Sequence, residues 1–90
     1  MDNQHRKIAG YRELSQEDID LMNEIKEHGE KTRLLVDKVK MVESARPAVM
    51  GDREEFDTAL ESGRWIGIAK THLQQGFMAL TRAVAKPKGF

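Results

Sequence analysis

Ser15-Gln16-Glu17-Asp18-Ile19-Asp20-Leu21-Met22-Asn23-Glu24-Ile25-Lys26-Glu27-His28-Gly29-Glu30 opens the segment that decides the fold. Ser15 followed by Asp18 has the spacing of a capping box, with Asp at the third position in place of the usual Glu or Gln. Glu17, Asp18 and Asp20 place negative charge in the first turns, where the helix dipole favours it. Met22, Ile25, Gly29, Thr32, Val36 and Val39 come next in alternating steps of three and four, and Leu21, Leu35 and Val42 widen the stripe. That spacing is the packing face of a helix, not the alternation of a strand. Lys38, Lys40 and Arg46 suit its C-terminal end. Pro47 stops it, because the residue before a proline is driven out of the α region.

Downstream, Arg46-Pro47-Ala48-Val49-Met50-Gly51-Asp52 reads as a turn, and Asp52 can cap a helix starting at Arg53. A second helical pattern runs over 53–85. Phe56, Leu60, Gly63, Ile66, Ala69, Leu73, Phe77, Leu80 and Val84 form its stripe. Gly63, Gly67 and Gly76 inside it each cost roughly 1 kcal/mol against alanine, so they make sense at kinks or close backbone contacts. Pro87 and Gly89 end the pattern. The expected layout is an N-terminal arm over 1–14, a helix over 15–46, a turn over 47–52, a helix over 53–85 and a tail over 86–90. The fold class is all-α, with two long antiparallel helices.

Ninety residues and 10.3 kDa allow one domain. Fifteen Lys and Arg balance fifteen Asp and Glu, and there is no cysteine, so disulfides, thiolate metal sites and cysteine nucleophiles are excluded. The composition is that of a soluble chain. Its apolar runs are too short to span a membrane, and Met1–Lys7 has no apolar core behind it that would make a signal peptide. Two helices of about 30 residues would each be roughly 45 Å long. A lone hairpin of that shape buries one seam and leaves Trp65, Ile68, His72 and Met78 wet. Small cores rarely supply more than about 3–5 kcal/mol, so obligate assembly into a compact homo-oligomer is expected.

The neutral balance hides an asymmetry. Residues 13–30 hold seven acids, with Lys26 as their only Lys or Arg, whereas residues 62–90 hold no acid and five bases, Arg64, Lys70, Arg82, Lys86 and Lys88. A net-neutral chain is a poor binder of long nucleic acid, which needs many phosphate contacts, but it can hold a small anion with a few cations.

No enzyme signal stands out. Glu24 and His28 share a helix face, but a third metal ligand is not evident, and a solvated polar face explains them. Glu54-Glu55 reads as a helix start. Ser15 has no activating motif, and the standard phosphate loops are absent. No metal or cofactor is called for. Tyr11, just before the cap, and Lys26, about three turns into the helix, carry two readings. Tyr11 can staple the arm and Lys26 can pair with Glu30 at i+4. Alternatively, Tyr11 is an aromatic platform for a base and Lys26 a cation for a phosphate. Arg64, Lys70, Thr71 and Arg82 lie in a run that reads mainly as an oligomer-interface helix. Symmetry could also gather these donors around an anion.

The run His5-Arg6-Lys7-Ile8-Ala9-Gly10-Tyr11 through Glu24-Ile25-Lys26, and the run Arg64-Trp65 through Thr71-His72-Leu73-Gln74-Gln75-Gly76-Phe77-Met78-Ala79-Leu80-Thr81-Arg82-Ala83-Val84, resemble the phage second anti-CBASS protein family. Its members are small sponges for cyclic oligonucleotide signals. The resemblance covers both helices, and the segment from about Glu27 to Gly63 is not distinctive. The resemblance implies a homohexamer in the host bacterial cytoplasm. It implies non-hydrolytic binding of cyclic dinucleotides such as 3′,3′-cyclic GMP-AMP in pockets shared by two protomers, with Tyr11 stacking on a base and Lys26 contacting a phosphate. It further implies separate cyclic trinucleotide sites, for which Arg64, Lys70 and Thr71 are the candidates here. The rival reading is a helical oligomerisation module without a nucleotide ligand.

Overall fold

The computed structural model describes residues 13–46 and 52–89. Two helices account for nearly all of them: α1, Gln16–Ala45, and α2, Arg53–Ala85. They run antiparallel, with Gly29 of α1 against the ring of Phe77 of α2. Both long helices expected from the sequence are present, and no strand occurs among the described residues.

Each helix begins where a side chain can satisfy its orphan amides. The Ser15 hydroxyl accepts from the Asp18 N–H at 3.1 Å, and the Asp18 carboxylate accepts from the Ser15 N–H at 3.1 Å, completing the capping box. The Asp52 carboxylate accepts from the Glu55 N–H at 3.2 Å at the start of α2. Arg46 leaves α1 in extended backbone, φ −72° and ψ 126°, as a residue before proline must. Along the exposed faces Arg33 bridges Glu30 and Asp37, Arg64 reaches Glu61, and Arg53 approaches Asp57. Exposed pairs at this spacing add little, because water and salt screen them.

The seam on α1 keeps the expected spacing: Met22, Ile25, Gly29, Thr32 and Val36 are half-buried, while Val39 is exposed. The seam on α2 departs from it. Ile66, Phe77 and Val84 face inward, but Phe56, Leu60 and Leu80 are 53%, 60% and 52% exposed. Thr81 and Ala85 take the inner positions instead. Phe77, Thr81 and Ala85 form one step-of-four row, and such a row is the ridge that a neighbouring helix receives in its groove. Hydropathy favours Leu80 for the interior, whereas the ridge brings in the smaller Thr81. Ile68, expected to be wet, is half-buried.

Ala85 is the only buried residue among those described. The Cα radius of gyration is 19.8 Å, against about 12 Å for a compact 90-residue domain. The molecule is a rod of 67 × 23 × 17 Å. Neither helix is long and apolar enough to cross a membrane.

Candidate functional site: the groove around Lys26

The N-terminal half of α1 and the C-terminal half of α2 enclose an open groove of about 630 Å³. That volume lies within the range of small-molecule sites, about 300–1,000 Å³. Met22, Ile25, Phe77 and Ala85 give it apolar walls, and Asn23, Lys26, Thr81 and Arg82 bring polar groups. Lys26 comes from α1 and Arg82 from α2. No carboxylate is among the described lining residues. This is notable because Lys26 stands in the acid-rich half of the chain.

Glu30 accounts for part of it. The alternative pairing of Lys26 with Glu30 does not form. Glu30 turns to Arg33, whose Nε donates to it at 3.1 Å. The hydrogen bonds from Arg33, and secondarily its charge, hold the Glu30 carboxyl below the usual carboxylate range. Glu30 is therefore ionised at neutral pH and committed one turn beyond Lys26. Among the described residues no carboxylate ion-pairs with Lys26, which leaves its ammonium to the groove.

Thr81 donates its hydroxyl to the Phe77 carbonyl at 3.0 Å, so this polar wall group is satisfied within its own helix. Phe77 packs its ring on Gly29, which gives the groove a fixed floor. The tail adds Pro87 to the lining. An apolar floor with cations from two helices suits a flat anionic molecule better than a long polyanion.

Tyr11, the expected aromatic platform, lies outside the described residues. The three candidates for a second site are not brought together within one chain. Lys70 lines a neighbouring groove of about 500 Å³ with Leu73, Gln74, Arg33 and Asp37. Arg64 donates to Glu61 at 2.9 Å and lies 5.0 Å from the Trp65 ring centroid, a cation–π contact. Thr71 is exposed, seven residues from Arg64 and hence on the same side of α2. The two histidines described, His28 and His72, are exposed, and no cluster of three or more metal-ligating side chains occurs among the described residues.

Arg82 is legible in the sequence only as one of several cations in an acid-free run. Its place beside Lys26 depends on the register of the hairpin, for which the sequence carries no direct signal. The same register brings Phe77 to Gly29.

The family model described as "Acb2/Tad1, hairpin domain" matches residues 4–85 of this hairpin. The chain belongs to that family. Consistent with membership of the Acb2/Tad1 hairpin family, the chain is 43% identical to a protein of Pseudomonas phage JBD67 named Anti-CBASS protein 2, over 107 aligned positions that cover 99% of each chain. The likeness spans both helices, including the stretch between Glu27 and Gly63, which carries no distinctive motif. Lys26 and the second groove-lining helix both fall within the Acb2/Tad1 match.

Proposed function

We propose that this protein is a phage anti-CBASS protein that binds and sequesters cyclic dinucleotide messengers without hydrolysing them. The observation that carries this reading is Lys26, lining an apolar-floored groove with no carboxylate among its described lining residues, in a chain that aligns over nearly its full length with a protein named for anti-CBASS action. A cyclic dinucleotide has two flat bases and two phosphates. An apolar floor receives the first and a cation the second. Tyr11 stacks on a base and Lys26 contacts a phosphate. Two protomers arranged about a two-fold axis present each of these groups twice to a ligand that carries each feature twice.

The protomers assemble as a homohexamer, which covers the apolar side chains that one hairpin leaves exposed. Cyclic trinucleotides bind at separate positions where copies bring Arg64, Lys70 and Thr71 together. The protein works in the host bacterial cytoplasm by lowering the free messenger concentration. Sequestration requires affinity and abundance, with no turnover, so neither a nucleophile nor a metal is needed.

Titration calorimetry with 3′,3′-cyclic GMP-AMP tests this, with subsequent heat release and chromatography of the recovered ligand. Tight binding with intact ligand is expected, and the stoichiometry reports whether two protomers share a pocket. Tyr11→Ala and Lys26→Ala are each expected to weaken binding by about tenfold or more while leaving the assembled mass unchanged. Linear product in place of intact ligand would make the protein a phosphodiesterase. No heat with cyclic di- or trinucleotides would leave the helical assembly module as the better account.

A further inference from the structure

The C-terminal end of α2 adopts a conformation that its sequence does not favour. Lys86 is left-handed, with φ 47° and ψ 57°, and is the only non-glycine residue at positive φ among those described. A side chain in that region costs roughly 1–2 kcal/mol, and glycine is the usual occupant of such a helix cap. The reversal has three local consequences. The Lys86 N–H donates to the Arg82 carbonyl at 2.8 Å. Pro87 turns back to line the Lys26 groove. The Gly89 carbonyl comes to accept from the Arg82 guanidinium at 2.6 Å. Arg82 is thus held at its backbone and at its head by the C-terminal tail, and it lines the same groove as Lys26.

We propose that Arg82, set in place by the Lys86–Gly89 reversal, is a second phosphate-binding cation of the Lys26 groove, so that one phosphodiester of the ligand is gripped from both helices. This rests on the cyclic dinucleotide reading above and adds a residue to its site. The chemistry of the two cations is complementary. Lysine supplies a mobile point charge, whereas arginine presents a planar fork of donors that matches two phosphate oxygens. A charge-assisted bond to phosphate is about twice as strong as one to a neutral carbonyl, so a bound phosphate competes well with Gly89 for the guanidinium's several donors. Until then the carbonyl keeps the long side chain ordered at the groove, which lowers the entropy lost on binding. Among the described residues the groove's lining carries no carboxylate to oppose the anion.

The test is calorimetry of the intact protein with 3′,3′-cyclic GMP-AMP at low and high salt, about 0.05 and 0.5 M, with light scattering as the assembly control. The variants are Arg82→Gln, Arg82→Lys and Lys26→Ala. Arg82→Gln is expected to raise Kd by about tenfold or more and to flatten its salt dependence, while Arg82→Lys keeps that dependence. An unchanged Kd for Arg82→Gln beside a weakened Lys26→Ala would overturn the assignment of Arg82 and leave the site reading standing. A raised Kd with the wild-type salt dependence would also overturn it, because the loss would then come through the fold. Failure of the wild-type protein to bind would bring down the site reading itself, and this inference with it.

Discussion

A single ring decides how near α1 and α2 can stand at Gly29. A β-carbon placed there would lie 3.7 Å from Cγ and Cδ1 of Phe77, which is ordinary van der Waals contact. Alanine therefore fits without displacing the ring, and it gains helix propensity of roughly 1 kcal/mol over glycine. Gly29→Ala is expected to raise the midpoint of thermal unfolding, read by circular dichroism at fixed protein concentration. Gly29→Leu has no such room. It should push Phe77 off the seam, lower the midpoint by the equivalent of about 1–3 kcal/mol, and deform the groove whose floor that ring forms. At Gly63, Gly67 and Gly76 a β-carbon would meet no described atom within 4 Å beyond the glycine, its chain neighbours and the backbone of its own helix. Within the hairpin itself, none of these three answers to the close contact that their cost leads one to expect.

At the scale of the element, the two helices are determined chiefly by their starts. The capping box at Ser15 and Asp18 is legible residue by residue, and so is the cap at Asp52, because each depends on a donor three residues away on the same short segment. Ser15→Ala removes the acceptor for the Asp18 N–H and is expected to cost about 1 kcal/mol, and Asp52→Ala should act similarly at α2. Both losses should appear as lowered unfolding midpoints, with ligand affinity nearly unchanged, since neither residue lines the Lys26 groove. The face that α2 turns inward is less legible. The hydrophobic pattern puts Leu80 on the stripe, whereas the structure uses Phe77, Thr81 and Ala85. Periodicity marks a broad apolar sector of a helix. A single narrow partner covers only one ridge of it, and side-chain size selects which.

The whole molecule is a rod whose helices touch each other along one seam. Leu35, Phe56, Leu60, Trp65 and Met78 are between 53% and 70% exposed. Large apolar side chains left in water along so thin a molecule are the raw material of an interface. Under the homohexamer proposed above, light scattering is expected to report a mass near six times the 10.3 kDa protomer under native conditions. The double variant Leu35→Glu with Leu60→Glu should lower that mass and sharply reduce helix content, because the isolated hairpin buries only Ala85 among its described residues. A folded, stable monomer of the unaltered chain would refute the assembly.

Local information determined much of this protein. The helix starts, the stop at Arg46, the all-α class and the apolar surplus that one hairpin leaves exposed all come from interactions within a few residues or from composition, which a sequence displays directly. Tertiary structure alone decided that Arg82 and Lys26 line one groove and that Phe77 rests on Gly29. The physical reason is register. Two helices of 30 and 33 residues, each with an apolar stripe along its length, offer more than one set of ridges and grooves a turn apart. Only the fit of particular side chains, a ring against a glycine and a threonine ridge in a groove, selects one alignment and with it the two cations that share a site.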